Sequence, residues 1–167
     1  MKEIILITGA NGMVAKKLSQ VLEKKYTLRF LTRTKRAENH FEWDIKKKYI
    51  EDKALQNVSH VIHLAGTGVA DKNWTPERKE EIISSRVQSA ELILESLKKQ
   101  NLKIKSFVSA SGIAYYGTET THTIYEENSP LGEGFLSHVC ELWENVAKDF
   151  FLQIQHVLFL MEKYALA

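Results

Sequence analysis

The sequence predicts an α/β fold, in which helices cover both faces of a doubly wound parallel sheet. Strand-like and helix-like segments alternate along all 167 residues, without an internal repeat or a low-complexity linker. This alternation is typical of parallel strands that are joined by right-handed crossover helices. The apolar run at residues 4–7 is unbroken, as expected of a strand buried on both faces of such a sheet. A chain of this length is expected to form one domain.

The first strand leads into a glycine-rich turn and then into a helix, whose apolar residues include Leu18 and Leu22. This order of elements is the fingerprint of a dinucleotide-binding turn, although a strand-turn-helix without a ligand stays open. Gly9 permits the tight turn, Gly12 lets the backbone approach a diphosphate, and Ala15 lets the helix pack closely on the strand. The diphosphate would lie on free N–H groups at the positive end of the helix. The predicted cofactor contacts in this turn are Thr8, Gly9, Asn11, Gly12 and Met13.

Composition and charge exclude several classes of function. Acidic and basic residues are interspersed, with a net charge of +2 and a pI near 8.5, so no nucleic-acid footprint is predicted. The basic clusters at residues 46–48 and 98–99 are interpreted as solvated helix or loop ends. No membrane span is predicted, because the apolar run at residues 157–161 is too short, and Met1 leads directly into a strand rather than a secretory signal. The single cysteine, Cys140, favours a reduced, cytoplasmic protein, and no metal site is predicted.

A second strand is predicted at residues 27–31, and Arg33 follows its end. In a dinucleotide-binding fold an acid at this strand end holds the adenosine 2′-hydroxyl, whereas an arginine accommodates a 2′-phosphate. Since the chain has Arg33 and no acid here, NADP(H) is favoured over NAD(H). A solvated basic loop is the competing interpretation, and it alone would account for Lys35 and Arg36.

The remaining elements continue the alternation of strands and helices. Thr75 is a hydroxyl cap and Pro76 suits the first turn, so a helix is predicted to begin there. His63 lies inside an apolar strand and is interpreted as a packed or hydrogen-bonded residue rather than a catalytic one. Strands are predicted at residues 41–44, 58–64, 104–109 and 153–161, and helices at residues 50–56, 75–99 and 136–151.

Several motifs occur in the order in which they occur in a known family. The turn at residues 8–15 resembles the Thr-Gly-x-x-Gly-x-x-Gly turn of extended short-chain dehydrogenase/reductases, the epimerase and dehydratase group. Residues 71–87 resemble the Lys-Arg-Trp-Thr…Lys…Ser-Arg-Val signature of one poorly characterised epimerase-like subfamily. Its Ser-Ala-x-Gly-Tyr-Tyr-Gly and Phe-Leu…Cys…Trp-Glu motifs are similar to residues 108–117 and 135–144. The resemblance covers residues 1–150 and implies a Rossmann domain that binds a nicotinamide cofactor.

The resemblance also implies further cofactor contacts. Residues 63–66 are similar to the family's His-Leu-Ala-Gly/Ala stretch, where small residues let the cofactor pass. Asp44 matches an aspartate that often contacts the adenine edge, and Arg86 occupies a helix position that often holds an active-site asparagine. Arg86 would face a cofactor phosphate or an acidic substrate, with a helix salt bridge as the structural alternative. The contacts implied in this way are Asp44, Leu64, Ala65, Gly66 and Arg86.

The catalytic positions depart from the family's pattern. Classical members use a serine and a Tyr-x-x-x-Lys pair, in which the tyrosine transfers a proton and the lysine lowers its pKa. Here the tyrosine and lysine positions hold Leu136 and Cys140, and the serine position holds Gly112. Cys140 would act as a nucleophile only if something lowered its pKa, and is otherwise a small core residue. The candidate substitutes near the end of the fifth strand are Ser111 and Tyr116, or Tyr115 in its place, with packing of the loop as the alternative role of the tyrosines.

Length is the other departure, because extended members continue into a C-terminal lobe that supplies most of the substrate pocket. We therefore expect residues 1–150 to form an NAD(P)-binding domain, and residues 151–167 to be an out-of-pattern tail or last strand of a truncated chain without that lobe. The leading hypothesis is an NADP(H)-binding, epimerase-like oxidoreductase domain, catalytically incomplete, with a small-molecule substrate. The alternatives are a non-enzymatic NADP(H)-binding redox sensor or regulatory module, and a fragment that neither folds well nor binds. Self-association as a homodimer is left open.

Overall fold

The computed structural model describes residues 2–119, 122–152 and 156–162. Its strands are β1 (Ile4–Thr8), β2 (Thr27–Thr32), β3 (His40–Asp44), β4 (Tyr49–Ile50), β5 (Val58–His63), β6 (Ser106–Gly112) and β7 (His156–Glu162). Its helices are α1 (Met13–Leu22), α2 (Pro76–Ser84), α3 (Val87–Lys99) and α4 (Phe135–Lys148). Within the described ranges these strands form one sheet, in the order β4-β3-β2-β1-β5-β6-β7. The predicted doubly wound α/β fold is confirmed.

Strand β1 lies near the centre of the sheet, and the chain extends the sheet from it in both directions. Leu6 pairs in parallel with Arg29 of β2 on one side and with Val61 of β5 on the other. Strands β2 and β3 follow on the first side and β6 and β7 on the second, so the strand order reverses at β1. Ligands of open α/β sheets bind at the carboxyl ends of the strands where such a reversal occurs. The ends of β1, β2 and β5 are therefore where a site is expected.

The helices cover both faces of this sheet. Helix α1 packs on one face, where Ala15 is buried in a small apolar cluster with Ile5 and Ile7. Helices α3 and α4 cover the other face over a larger core, in which the rings of Phe107 and Phe150 stack with centroids 3.7 Å apart. Among the described residues, no helix is long and apolar enough to cross a membrane. This two-sided packing explains why the β1 sequence is apolar at consecutive positions.

The sheet differs from the prediction at the edge beyond β3. Strand β4 pairs antiparallel with β3, Trp43 opposite Ile50, so the sheet is not wholly parallel. The predicted helix at residues 50–56 was wrong, because only a 3₁₀ turn, Asp52–Ala54, follows β4. The β3–β4 turn includes Lys48 with a left-handed φ of 49°. Glycine or asparagine usually marks such a position of a hairpin, and a lysine does not.

The single helix predicted at residues 75–99 is in fact two helices. Its predicted start is confirmed, because Pro76 opens α2 and the Thr75 hydroxyl accepts the Arg78 N–H at 3.3 Å. The helix breaks at Ser85 and Arg86, between α2 and α3. The Ser89 hydroxyl lies 2.8 Å from the Ser85 carbonyl and 3.0 Å from that of Arg86. Side-chain hydroxyls that bond to backbone carbonyls in this way compete with the helical ladder.

The later elements shift by a few residues from their predicted bounds. Strand β6 extends to Gly112 instead of ending at residue 109, and α4 ends at Lys148, followed by a 3₁₀ turn, Asp149–Leu152. Strand β7 pairs in parallel with β6 along its whole length, with Gly112 opposite Glu162. Of the predicted tail, residues 153–155 and 163–167 lie outside the described residues. Strand β6 therefore carries Ser111 and Gly112 at its carboxyl end.

Candidate functional site

The turn between β1 and α1 forms a backbone cradle at the centre of the sheet. Gly9 has a left-handed φ of 71°, and a Cβ atom built on it would lie 2.6 Å from the Leu64 carbonyl oxygen. The Gly12 N–H donates to the Gly9 carbonyl at 2.8 Å, which closes the turn, and Gly12 then caps α1. The first N–H groups of a helix have no intrahelical acceptor, and they carry its positive end. An anion can lie on them, as the sequence predicts.

Thr8 supports this cradle from inside the protein. Its side chain is fully buried, and its Oγ1 accepts the N–H groups of Leu64 at 3.0 Å and Ala65 at 2.9 Å. These bonds join the ends of β1 and β5. Thr8 thus positions the backbone around the cradle, and its contact with a cofactor stays a prediction.

The other predicted residues of the turn lie at its rim. Asn11 and Gly12 are exposed, and the Met13 side chain, at the first position of α1, is 73% exposed. Ala15 is buried under α1, and this is consistent with the small residue predicted for close packing of the helix on the strand. The turn thus combines an exposed rim with a tightly packed base.

The carboxyl ends of β2 and β3 place Arg33 and Asp44 on the side of the cradle away from β5. Arg33 is exposed directly after β2. Nearby Lys35 is engaged elsewhere, in an ion pair of 2.6 Å with Glu51. The Asp44 carboxylate accepts the Lys47 N–H at 3.1 Å, and so it helps to close the β3–β4 turn. Both residues lie at strand ends, and their contact with a cofactor stays a prediction.

Arg86 joins the end of β5 to α4. Its guanidinium carbon would lie 2.9 Å from a Cβ atom built on Gly66, and it lies 5.2 Å from the centre of the Trp143 ring, within cation–π range. One Nη donates to the Ile82 carbonyl at 3.1 Å. The glycine at position 66 therefore leaves space for the arginine, whose charge lies beside the end of β5.

His63 is a core residue, as the sequence predicts. It is fully buried, with Nε2 2.7 Å from the Ser89 hydroxyl and Nδ1 3.4 Å from the Trp143 indole nitrogen. Burial, with a smaller contribution from the nearby Arg86 charge, lowers the pKa of His63 to about 3. The ring is therefore neutral at physiological pH and lies away from the protein surface.

Ser111 and Cys140 are held inside the protein at the carboxyl end of β6. Ser111 is 2% exposed, and its hydroxyl donates to the Glu144 carboxylate at 2.6 Å. This hydrogen bond ties β6 to α4, and the catalytic role of Ser111 stays a prediction. Burial and the Glu144 carboxylate raise the pKa of the Cys140 thiol, which is also buried. Such a thiol is not an activated nucleophile.

Tyr116 is the predicted catalytic residue that keeps some exposure. Its ring stacks on Tyr125 at 5.1 Å and meets Tyr115 edge-on at 5.2 Å. Burial and the Glu144 carboxylate raise the pKa of the Tyr116 hydroxyl. This shift is opposite to the one that a catalytic lysine produces, and it makes the Tyr116 hydroxyl a weaker acid than an unperturbed tyrosine.

Sequence reasoning missed Glu144 and Arg78. Glu144 receives the Ser111 hydroxyl and raises the pKa of both Cys140 and Tyr116, which makes it the carboxylate at the centre of this cluster. It follows Cys140 by four residues on α4, and this helical spacing was the available signal. Arg78, in the first turn of α2, is 6% exposed although it is charged. No spacing rule marks a single buried arginine in a polar helix.

Comparison with known proteins identifies similar sequences over most of the chain. The sequence model of the NAD dependent epimerase/dehydratase family matches residues 5–135. An epimerase family protein of Staphylococcus aureus is 34% identical over 153 residues, which are 87% of this chain and 49% of that protein. A chloroplastic epimerase family protein of Arabidopsis thaliana is 32% identical over 153 residues, with 86% of this chain and 44% of that protein covered. The chain spans about half the length of the curated relatives that it matches.

Solved structures share the fold. The nucleoside-diphosphate sugar epimerase of Corynebacterium glutamicum superposes with a TM-score of 0.77 at 25% identity, over 96% of this chain and 34% of that one. Human epimerase family protein SDR39U1, solved with NADPH, gives 0.71 at 23% identity, over 86% of this chain and 48% of that one. A UDP-glucuronic acid 4-epimerase of Bacillus cereus, solved with UDP-glucuronic acid and NAD, gives 0.71 at 19% identity, over 95% of this chain and 55% of that one. Structural neighbours with nicotinamide cofactors thus share this sheet.

Proposed function

The chain belongs to the NAD dependent epimerase/dehydratase family, and on this basis we propose that it is an NADP(H)-binding, epimerase-like oxidoreductase domain. The observation that carries the proposal is the cradle at Gly9 and Gly12, which lies where the strand order reverses and opens onto the positive end of α1. The space that a Cβ atom would fill at Gly9 is needed for the close approach of β5. A dinucleotide diphosphate fits this cradle.

The two halves of the cofactor would extend from the cradle in opposite directions. Arg33 and Asp44, at the ends of β2 and β3, would hold the adenosine half, with the Arg33 guanidinium on a 2′-phosphate. Leu64, Ala65 and Gly66, at the end of β5, would border the nicotinamide half, where the bound cofactor supplies a centre for hydride transfer. Neighbours solved with NADPH and with NAD support a nicotinamide cofactor. Of NADPH and NADH, Arg33 favours NADPH.

The residues around β6 support an incomplete form of the family's chemistry. Leu136 at the tyrosine position cannot transfer a proton, and the buried thiol of Cys140 at the lysine position supplies no positive charge to lower the pKa of a tyrosine. Tyr116 keeps a hydroxyl at this strand end, but burial and Glu144 raise its pKa, which makes it a weaker proton donor than a tyrosine paired with a lysine. The substrate would be a small molecule with a hydroxyl or carbonyl carbon, in a reduced, cytoplasmic setting. A site without an activated tyrosine supports slow turnover or simple binding rather than the full chemistry of the family.

Thermal unfolding of the 167-residue chain with and without cofactor tests the proposed function. Ligand at a hundredfold excess over its Kd adds about 2.7 kcal/mol of stability, which for a domain of this size raises Tm by about 5–10 °C. We expect NADPH to produce this shift and NADH a smaller one. A cooperative transition that neither cofactor moves would refute the proposed function.

Replacing Arg33 by serine is expected to weaken NADPH binding by about 10- to 100-fold, since the lost bonds join a cation to the charged 2′-phosphate. NADH lacks that phosphate, so its affinity should change little. Titration of each cofactor by fluorescence measures both constants. Arg36→Ser is the matched control, because it removes an exposed arginine of the same loop. Equal losses of NADPH and NADH affinity in Arg33→Ser would contradict a 2′-phosphate contact.

The alternative is a non-enzymatic NADP(H)-binding sensor. It is favoured by the same observation that limits catalysis, namely the buried thiol of Cys140 at the family's lysine position. A panel of small carbonyl compounds with NADPH separates the two functions. Turnover of any member supports the oxidoreductase, whereas binding without turnover across the panel supports the sensor.

A further inference from the structure

The loop that connects β5 to α2, residues 64–75, is fastened along its length by hydrogen bonds. The Thr67 N–H donates to the Ser85 hydroxyl at 3.0 Å, and the Trp74 indole N–H donates to the Val69 carbonyl at 2.7 Å. The segment contains exposed Gly66 and Gly68, which by themselves favour a mobile chain. Its order therefore depends on side chains that reach it from α2 and from within the loop.

Arg78 makes most of these contacts. One Nη donates to the Thr67 hydroxyl at 3.1 Å and to Glu81 at 2.6 Å, and the other donates to the Gly68 carbonyl at 2.5 Å. The second Nη also lies 3.7 Å from the Asp71 carboxylate. The side chain is 7% exposed, and its Nε has no acceptor among the residues that the structure describes. One buried guanidinium thus binds three points of the loop to the first turns of α2.

This loop continues directly from the nucleotide cradle. Its first residues, Leu64 and Ala65, bond to Thr8, and the Leu64 carbonyl packs on Gly9. It leaves the sheet on the β5 side, away from Arg33, which is the side on which the nicotinamide half would lie. Whether the loop is ordered therefore determines whether the nicotinamide half meets a preformed binding surface.

We propose that Arg78 is a positioning residue for the nicotinamide half of the cofactor and for the substrate beside it. By holding residues 67–71 against α2, Arg78 keeps this part of the loop in the conformation that binds the nicotinamide half. The inference rests on the proposed function, and it adds a residue that contacts neither ligand. When a binding-competent state is only fractionally populated, the apparent Kd rises by the inverse of that fraction.

An arginine suits this position for a chemical reason. Its planar fork presents several N–H donors in fixed directions, and here they reach a hydroxyl, a carbonyl and carboxylates at once. A lysine ammonium in the same place is a point charge on a flexible stem. It would satisfy one or two of these acceptors and restrain the loop only partly.

The experiment compares Arg78→Met and Arg78→Lys with the wild-type chain, using Trp74 as the reporter. Trp74 is 42% exposed and bonded to this loop, whereas Trp43 and Trp143 are buried in the core. In Arg78→Met we expect the cofactor-free tryptophan emission to move to longer wavelength. If the ordered loop falls to about a tenth of its population, the NADPH Kd rises about tenfold. Arg78→Lys is expected to fall between Arg78→Met and wild type in both measurements.

Three controls keep the result specific. Trp74→Phe should abolish the emission difference between wild type and Arg78→Met, since the reporter is gone. Lys99→Met removes an exposed cation at the end of α3 and should change neither emission nor Kd. Thr67→Val removes one acceptor of the clamp with little change of shape, so it should produce a smaller change in the same direction. If Arg78→Met fails to fold, Thr67→Val alone tests the positioning role.

The outcomes separate this inference from the proposed function. A wild-type chain that binds no NADPH refutes the proposed function. A folded Arg78→Met chain with wild-type emission and wild-type NADPH affinity refutes the positioning role alone, as does an unchanged Thr67→Val chain. Longer-wavelength emission together with weaker NADPH binding, and partial recovery in Arg78→Lys, supports it.

Discussion

Replacing Gly9 by alanine is expected to weaken NADPH binding by about 100-fold or more and to lower the stability of the chain. The left-handed φ of 71° costs an alanine about 1–2 kcal/mol. The added Cβ would also lie 2.6 Å from the oxygen and 2.8 Å from the carbon of the Leu64 carbonyl. These are backbone atoms at the end of β5 and cannot rotate away, so a strand end has to move. Strain and overpacking together predict a loss of about 2–4 kcal/mol in the free energy of unfolding.

The effect on cofactor binding follows from the same displacement. The diphosphate would be held by backbone N–H groups that the Gly9 turn aims at it, and a hydrogen bond to a charged group contributes about 1.5–3 kcal/mol. Loss of two such bonds weakens NADPH affinity by about 100-fold or more. Fluorescence titration measures the affinity, and thermal unfolding measures the stability of the same preparation.

A matched glycine separates backbone strain from damage to the cradle. Gly134 precedes α4 with a φ of 102°, and a Cβ atom there would meet nothing within 4 Å. Gly134→Ala should therefore lose stability through its backbone angle and still bind NADPH. If Gly9→Ala binds NADPH as tightly as Gly134→Ala does, the β1–α1 turn is not the diphosphate site.

Gly9 also illustrates which features a sequence can reveal. Its requirement is local, because a glycine between an apolar strand and a helix allows both the backbone angle and a close approach at that point. The same holds for the cap of α2, where Thr75 and Pro76 are neighbours in sequence and act on the turn that they begin. Strands β1, β2 and β5 were predicted correctly for this reason, since each concentrates β-branched and large apolar residues in a short segment.

Features that depend on distant partners were not predictable in this way. The hydrogen bond between Ser111 and Glu144 joins residues 33 positions apart, and it ties the predicted catalytic hydroxyl to α4. The helix break at Arg86 arises from hydroxyl contacts and packing, with no glycine or proline to mark it. The Arg78 clamp depends on where the β5–α2 loop folds back over α2. In each case the residue type is ordinary and its role is set by the tertiary fold.

His63 joins three elements of the core through a neutral ring. The Trp143 indole N–H is a donor only, so the Nδ1 atom of His63, at 3.4 Å, must accept from it. The proton of the neutral imidazole then lies on Nε2, which donates to the Ser89 hydroxyl at 2.7 Å. The Ser89 hydroxyl donates in turn to backbone carbonyls, at Ser85 and Arg86. Protonation of Nδ1 would break the bond to Trp143 and place a buried charge near the Arg86 guanidinium.

Stability is therefore expected to fall steeply as the pH is lowered from 7 to 5. The pKa of His63 is lowered from 6.5 in the unfolded chain to about 3 in the folded one, chiefly by burial. Below pH 6.5 the His63 imidazole becomes protonated in the unfolded chain but stays neutral in the folded chain. Its contribution to the free energy of unfolding is therefore present above that pH and is lost as the pH falls toward 3. The free energy of unfolding should drop by about 2 kcal/mol between pH 7 and pH 5. Urea denaturation at half-unit steps of pH measures this change.

His63→Gln identifies the residue responsible for the slope. Glutamine can donate an amide N–H toward Ser89 and does not titrate, so this variant should be less stable at pH 7 and nearly independent of pH down to 5. Carboxylates with lowered pKa values also lose their contribution to stability as the pH falls, but only below pH 4.5. These carboxylates are Glu3, Glu51, Glu77 and Glu81. The interval from pH 6.5 to 5 therefore isolates the histidine. If His63→Gln loses as much stability over that interval as the wild type does, the buried neutral imidazole is not the cause.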